Sequence, residues 1–405
     1  MKFRFILALA LCAVLLSCEN RSADPDDSVA YGTYILNNGN WGGNDANIGV
    51  YDPVSKTFKA DQFYAVNGQK LGDLGQDVIR VEDKVYVAVN GSQTIFVTDE
   101  DLKVVRQVDA TNAGAKLSPR YFAASGKTVY VTYYEGFVGE ISSNSVKLCQ
   151  VGPNPEGLAV AGDKLYTADS GGMVAGYANT LSVVSLADFT KISSIEVNAN
   201  PSKVEASSDG KYLYVSSFGN YADLLAKLQI VETATGKVSD LDYSSVSSIA
   251  KGKNDILYVL CGGYDENWNP LPGTIYCHDM ARNLPLGAFV TDGTILPKAY
   301  SISAASDGYI YVGCSDYVTT GDVYVLTSAG TFHDKFDSQG LNPIRAYWLA
   351  SFFFLKMRRF SMVKFSIPET HIARRLHITT SQPVNFSMSS IAPSRRRNTA
   401  ELERS

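Results

Sequence analysis

Histidine is scarce in this 405-residue sequence, which has only four copies. It contains no HExxH, no GxSxG, no phosphate-cradling glycine loop and no Cys/His cluster with zinc spacing. The neighbours Asp265 and Glu266 lack the alternating spacing of a calcium loop. We expect Glu156 and Glu205 to begin strands or line a channel rather than to act as an acid–base pair. The sequence therefore predicts no enzyme, no metal and no cofactor.

Excess basic charge and cysteine motifs are also lacking. The net charge is -5, so no basic stripe indicates a nucleic-acid partner. Six cysteines are present without CxxC spacing. Cys261 and Cys277 flank one predicted hairpin, but their register is offset by about three residues, so we expect no disulfide between them.

The N-terminus has an apolar run that is too short to span a membrane. Lys2 and Arg4 precede the run at 5–16. The following LLSC resembles a bacterial lipobox, which implies that 1–17 is a lipoprotein signal peptide and that Cys18 carries the lipid anchor. An ordinary secretory signal is the alternative. The acidic stretch at 18–29 has the composition of a flexible tether.

A tyrosine repeat dominates the rest of the chain. Seven tyrosines, each beginning a run of β-formers, recur about every 46 residues; they are Tyr34, Tyr86, Tyr130, Tyr166, Tyr214, Tyr258 and Tyr311. A period of about 40–50 residues with several short strands per unit is typical of a β-propeller. We predict an all-β, seven-bladed propeller of four-stranded blades over 30–350.

The predicted strand order places the long loops on one face of the propeller. Turns after the third strand are short and polar, whereas the loops after the tyrosine strands carry insertions rich in glycine, asparagine and aromatics. Prolines such as Pro119 and Pro155 introduce the inner strands, and we expect extended backbone before them.

This combination of rigid aromatics and amides predicts a ligand-binding face. The candidate residues are Asn38, Trp41, Asn44, Asn90, Tyr134, Asp169, Tyr177, Phe218, Tyr221, Tyr264, Trp268 and Tyr317.

The C-terminal segment differs sharply from the repeats. Residues 344–405 contain no glycine and carry a charge of +8. Asn342-Pro343 should introduce a strand at 344–350 that completes the first blade. We expect 351–405 to be a non-propeller tail, either from another reading frame or fusion or as a genuine basic appendage.

The repeats GKTVYVTYYE, DKLYTADS, DGKYLYVSSFGN and DGYIYVGCSDY resemble the YVTN repeats of YncE-like propellers. With the lipobox and GTYILNNGNWGGNDANIGVYD, the chain resembles the surface lipoprotein propellers of gut bacteria. The best understood of these capture cobalamin and deliver it to a TonB-dependent transporter. The resemblance implies a corrinoid-binding lipoprotein on the outer membrane, exposed at the cell surface.

Three alternatives remain open at this stage. A glycan-binding surface lipoprotein would use the same aromatic and amide side chains. A propeller lactonase or lyase, and a scaffold that binds a partner protein, belong to other functional classes.

Overall fold

The chain folds as an all-β propeller. The structure, a computed structural model, describes residues 32–143, 145–172, 176–263 and 271–349. These residues form seven four-stranded antiparallel sheets and one two-stranded hairpin. The predicted signal peptide, tether and tail lie outside the described residues.

Each sheet is one blade of the propeller, and in blades 2 to 7 the four strands follow one another along the chain from the channel outward. Blade 1 contains β1 (Gly32–Asn37), β2 (Asn47–Asp52) and β3 (Thr57–Lys59), and blade 2 contains β4 (Gly75–Val81), β5 (Lys84–Val89), β6 (Thr94–Thr98) and β7 (Val104–Val108). Between blades 2 and 3 lies the hairpin of β8 (Thr111–Asn112) and β9 (Ala115–Lys116). Blade 3 contains β10 (Pro119–Ser125), β11 (Thr128–Tyr133), β12 (Phe137–Ile141) and β13 (Val146–Gln150), and blade 4 contains β14 (Pro155–Ala161), β15 (Lys164–Asp169), β16 (Thr180–Ser185) and β17 (Thr190–Glu196).

The remaining blades repeat this pattern. Blade 5 contains β18 (Pro201–Ala206), β19 (Tyr212–Ser217), β20 (Lys227–Glu232) and β21 (Val238–Leu241), and blade 6 contains β22 (Val246–Lys251), β23 (Ile256–Cys261), β24 (Thr274–Asp279) and β25 (Leu284–Ala288). Blade 7 contains β26 (Ala299–Ala304), β27 (Ile310–Cys314), β28 (Asp322–Leu326) and β29 (Phe332–Asp337), and the last strand is β30 (Pro343–Leu349). The helical elements among the described residues are α1 (Gln62–Asn67) and a 3-10 turn at Lys253–Asp255, and none is long and apolar enough to cross a membrane.

The inner strands form a closed ring around a central channel. Along this ring the packed neighbours are β4 and β10, β10 and β14, β14 and β18, β18 and β22, β22 and β26, β26 and β30, and β30 and β4. The seven-bladed propeller that the repeat predicted is confirmed.

Blade 1 is completed by the C-terminal strand of the propeller. Strand β30 pairs antiparallel with β1, for example Tyr34 with Tyr347 and Gly32 with Leu349. The inner strand of blade 1 therefore comes from the opposite end of the chain, as predicted from Asn342-Pro343. The pairing of β30 with β1 joins the first and last strands of the propeller within one sheet.

The repeat tyrosines all lie in the second strand of their blades. Six are buried, and Tyr86 is half-buried. Tyr311, for example, is 1 % exposed and meets the ring of Tyr51 from the next blade edge-on, with 6.2 Å between ring centroids. The repeat thus marks large aromatic side chains that fill the space between neighbouring sheets.

The residue before most inner strands does not have the extended backbone that we expected. Asn154, Asn200 and Asn342 precede prolines with φ of 44°, 58° and 57°. The corresponding residues of other blades, Leu74 and Ser245, also have positive φ. Asparagine tolerates this left-handed region better than most residues, and the turn overrides the bias of the following proline.

The cysteine prediction is confirmed. Cys277 lies opposite Tyr258, three positions from Cys261, and Cys261 lies opposite Thr274. All four cysteines of the described part are free, and three of them are buried.

Candidate functional site

The two faces of the propeller differ as the sequence predicted. The loops between second and third strands and the connections between blades share one face, which we call the long-loop face. Its largest segments are 38–46, 60–74, 170–179, 218–226, 262–273 and 289–298, with residues 173–175 and 264–270 outside the described ranges. The opposite face carries only short turns. In blade 3 the loop after the tyrosine strand is a turn of only three residues, since Tyr133 and Phe137 belong to strands.

A repeated hydrogen bond holds the long-loop face in place. In every blade, the carbonyl of the residue before the inner strand accepts from the N–H of the first residue after the second strand. The donor and acceptor pairs are Asn38–Asn342, Asn90–Leu74, Tyr134–Ser118, Ser170–Asn154, Phe218–Asn200, Gly262–Ser245 and Ser315–Lys298. Each long loop therefore begins at a backbone position that the scaffold fixes.

A cavity of about 1490 Å³ extends from the long-loop face into the central channel. The inner strands of the blades form its wall, and loops of blades 5, 6 and 7 form its rim. Clustering of aromatic and polar groups in a large concave space is typical of ligand sites.

Aromatic side chains at the long-loop face form two groups, which together we call the aromatic rim. In the first, Tyr221 packs edge-on against Tyr177 at 5.8 Å and stacks at 19° with Phe218 at 6.4 Å. In the second, Tyr317 meets Tyr300 edge-on at 5.5 Å. Tyr221 and Tyr317 are 59% and 47% exposed, so each offers ring surface to a ligand.

Charged side chains from several blades line the channel below the rim. The guanidinium of Arg120 donates from Nε and Nη2 to Glu156 Oε2 at 3.0 and 2.5 Å. Its Nη1 donates to Gln76 Oε1 at 3.1 Å, and the Gln76 amide donates to the Tyr121 hydroxyl at 2.9 Å. These contacts link blades 2, 3 and 4 and hold Arg120 firmly in place.

A second charged group lies beside the first. The Lys203 ammonium lies over the Tyr121 ring, 3.6 Å from its centroid. Arg345 Nε lies 3.4 Å from Asp77 Oδ1, while Asp77 Oδ2 accepts from the Phe122 N–H at 2.9 Å. Glu205 also lines this part of the cavity. Glu156 and Glu205 are thus channel-lining groups, as expected.

Burial shifts the pKa values of Lys203 and Glu205 in this second charged group. It lowers the pKa of the Lys203 ammonium from its ordinary 10.5 to about 8. The negative charge of Asp77 raises this pKa, and the positive charge of Arg345 lowers it further. Burial also raises the pKa of Glu205, against the attraction of Arg345. Both side chains keep partial contact with channel water, but protein surrounds them closely enough to disfavour their charged forms.

The lowered pKa gives a testable dependence of stability on pH. Between about 8 and 10.5 the unfolded chain binds a proton that folded Lys203 releases, so this group makes the free energy of unfolding rise with pH. Lys203→Met removes the cost of the buried charge. We expect the variant to melt at a higher temperature than the wild type near neutral pH, and the difference to shrink through this window.

The matched control is Lys237→Met, which removes an ammonium of a side chain that is 68% exposed on the opposite face. Thermal melts of the three proteins across this pH range make the comparison. A Lys203→Met variant that melts lower at neutral pH, with a difference independent of pH, would contradict the assignment.

Four predicted site residues line the cavity: Asn38, Phe218, Tyr221 and Tyr317. The Asn38 amide also donates to the Gly75 carbonyl at 2.7 Å, so part of its hydrogen-bonding capacity holds the fold. Tyr177 adjoins the rim through Tyr221.

The other predicted residues lie elsewhere. Trp41 is 77% exposed, and neither it nor Asn44 lines the cavity. Tyr134 is 40% exposed, with its ring 6.0 Å from the Arg120 guanidinium. Tyr264 and Trp268 lie outside the described residues.

Asn90 and Asp169 are corrected to structural roles. The buried Asn90 amide donates to the Pro119 carbonyl at 3.2 Å. Asp169 is 0% exposed and accepts from Thr167 at 2.9 Å and Ser182 at 2.6 Å. Both side chains are used by the protein's own hydrogen bonds, because burial of such groups requires partners.

Sequence reasoning missed the cationic channel residues Arg120, Lys203 and Arg345. Each follows an inner-strand proline by one or two positions. That spacing was the available signal, because the first residues of each inner strand face the channel near the long-loop face. Among the described residues, no group of three or more His, Cys, Asp or Glu is placed to hold a metal ion.

Comparisons with known proteins bear on the fold. No family model and no curated protein matches the chain. Among solved structures it is similar to Kuenenia stuttgartiensis hydrazine synthase, with 18% identity and a TM-score of 0.50 over 63% of this chain and 76% of that one. It is also similar to the computationally designed Ika8 protein, with 12% identity and a TM-score of 0.50 over 77% and 90% of the two chains. At these identities the likeness concerns the fold alone.

Proposed function

We propose that this protein binds a bulky small molecule in the cavity of the long-loop face, and that the ligand is a corrinoid. The observation that carries the proposal is the cavity itself, about 1490 Å³ in volume. It exceeds the roughly 300–1,000 Å³ typical of small-ligand pockets. A large ligand that meets several blades at once fits such a space better than a small metabolite.

The lining suits the chemistry of a corrinoid. A corrin is broad, partly apolar and fringed with amides, so it needs both ring surface and hydrogen-bonding groups. Tyr221 and Tyr317 at the rim offer the first, and Asn38 and other polar groups of the channel offer the second. The repeated backbone hydrogen bonds fix where each loop begins, which reduces the conformational entropy lost on binding.

A glycan is the second candidate, favoured by the exposure of the aromatic rim. Sugar rings stack on tyrosine faces, and hydroxyls pair with amides and carboxylates. Tyr221 and Tyr317 are accessible enough for such stacking. The proposal is binding without turnover in either case, and hydrolysis or lysis of a lactone or polysaccharide would contradict it.

Titration calorimetry with cyanocobalamin, in parallel with a panel of oligosaccharides, separates the two ligand classes. We expect saturable binding of cyanocobalamin well below millimolar concentration and no comparable heat with the oligosaccharides. Saccharide binding without cyanocobalamin binding would replace the corrinoid with the glycan.

We also propose that Cys18 anchors the protein to the outer membrane, where it delivers its ligand to a TonB-dependent transporter. Cys18 lies outside the described residues, so this proposal depends on the lipobox. Cys18→Ala is expected to move the protein from the membrane fraction to the soluble fraction, with Cys149→Ala as a control that leaves the lipobox intact. Membrane association that survives Cys18→Ala and does not respond to globomycin would refute the anchor.

A further inference from the structure

The channel holds two cations whose hydrogen-bonding capacity the protein leaves unfilled. Within the described part of the chain, the Lys203 ammonium has no protein acceptor at hydrogen-bond distance and no carboxylate at ion-pair distance, and it lies against the Tyr121 ring. Arg345 Nε is buried without a hydrogen-bond partner, although Asp77 lies nearby. Buried polar groups normally have partners, so Arg345 Nε requires an explanation, whereas the Lys203 ammonium keeps partial contact with channel water.

Within the described residues, the other channel cations are already paired. Arg120 is held by Glu156 and Gln76, with its side chain 18% exposed. Lys251 pairs with Asp255 at 2.9 Å and donates to the Ala206 carbonyl at 2.7 Å. Asp77 takes a backbone N–H in addition to Arg345. Among the described residues, Lys203 is therefore the channel cation without an ion pair, and Arg345 keeps an unused N–H beyond its 3.4 Å ion pair with Asp77.

We propose that Lys203 and Arg345 form an anion subsite in the channel, which takes a carboxylate or a phosphate-type oxyanion. This proposal rests on the proposed function in one respect, which is that the anion subsite lies in the cavity assigned to the bulky ligand. An oxyanion between the two cations would accept charge-assisted hydrogen bonds from both and relieve their mutual repulsion. The Arg345 side chain is 33% exposed, so the channel gives access to it.

The energetic cost of placing two cations in one channel supports this assignment. Two like charges from blades 1 and 5 face one cavity, and the repulsion of Arg345 contributes to the lowered pKa of Lys203. The carboxylates that face Lys203 are Asp77 on β4, Glu156 on β14 and Glu205 on its own strand, and Tyr121 faces it from β10. A methionine in place of Lys203 would avoid the cost of burying the charge, so folding alone does not account for the lysine.

Titration calorimetry of the full-length protein with sulfate and, separately, with acetate tests the subsite. Sulfate represents a tetrahedral oxyanion of constant charge, and acetate represents a carboxylate. The two titrations therefore distinguish a phosphate-type ligand group from a carboxylate. We expect the wild type to bind at least one of them. Lys203→Met should weaken that binding about tenfold or more, in keeping with the strength of charge-assisted hydrogen bonds.

Lys237→Met is the matched control, since it removes an exposed lysine from the opposite face and should bind as the wild type does. Thermal melts establish that both variants are folded. The affinity for sulfate should also fall as the pH rises from about 7 to about 10 and Lys203 loses its proton. In Lys203→Met this pH dependence should disappear.

The outcomes separate the subsite from the function proposed above. If the protein binds an anion through Lys203 but does not bind cyanocobalamin, the subsite is supported and the corrinoid proposal is wrong. No binding of either anion by the wild type, or equal losses in Lys203→Met and Lys237→Met, would overturn the subsite whether or not cyanocobalamin binds.

Discussion

A chain that ends after Asn342 is expected to lose the cooperative unfolding transition that a chain ending after Leu349 keeps. Truncation at Asn342 removes β30, the inner strand of blade 1. It uncovers the whole edge of β1 and opens the contacts of β30 with β4 and β26. The loss is comparable with the total stability of a typical domain, about 5–15 kcal/mol, because a propeller depends on closure.

Thermal and denaturant unfolding of the two truncated chains, followed by circular dichroism, measures the difference. The chain that ends after Leu349 contains all four strands of every blade, and it is the control for removal of residues 350–405. Equal, cooperative transitions in both chains would contradict closure through β30. A loss of folding on removal of 350–405 alone would show that this segment contributes to the fold.

Tyr311→Ala is expected to cost about 3–5 kcal/mol of unfolding free energy, the range for large buried aromatics. The Tyr311 ring is 1% exposed, and its hydroxyl donates to Asp307 at 2.7 Å and contacts the Thr33 hydroxyl at 2.8 Å. Thr33 lies in blade 1 and Tyr311 in blade 7. The substitution therefore weakens the contact between the first and last blades, which β30 also joins.

Two further variants separate packing from hydrogen bonding. Tyr311→Phe keeps the ring and should cost about 1–3 kcal/mol, because Asp307 retains Thr33 and the Tyr309 N–H as donors. Tyr86→Ala, at the equivalent position but half-buried, should cost less than Tyr311→Ala. Urea unfolding measures all three, and a Tyr311→Ala cost near zero would contradict the packing role of the repeat.

The repeat made the fold predictable from local information. Each tyrosine marks a second strand, and the intervals between tyrosines determined the number of blades. Even the closure by β30 was predictable, because Asn342-Pro343 repeats the motif that begins other inner strands. The left-handed backbone of Asn154, Asn200 and Asn342 was not, because the following proline biases the preceding residue toward extended geometry.

The site was only partly predictable because it is assembled across blades. Position on the long-loop face identified Tyr221 and Tyr317, but it also selected Asn90 and Asp169, whose side chains are buried among the protein's own donors and acceptors. Arg120 meets Glu156, 36 positions away, and Arg345 meets Asp77, 268 positions away. A sequence pattern gives the strand of each residue, whereas the ring geometry determines which residues meet.

The most direct test of the central claim is the dissociation constant of cyanocobalamin for the wild type and the Tyr221→Ala/Tyr317→Ala variant. Tyr64→Ala is the control, since Tyr64 is 52% exposed but does not line the cavity. We expect the double variant to bind about tenfold or more weakly, as for aromatic hot spots, and Tyr64→Ala to bind as the wild type does. Equal dissociation constants for all three proteins, or no binding by the wild type, would contradict ligand capture at the aromatic rim.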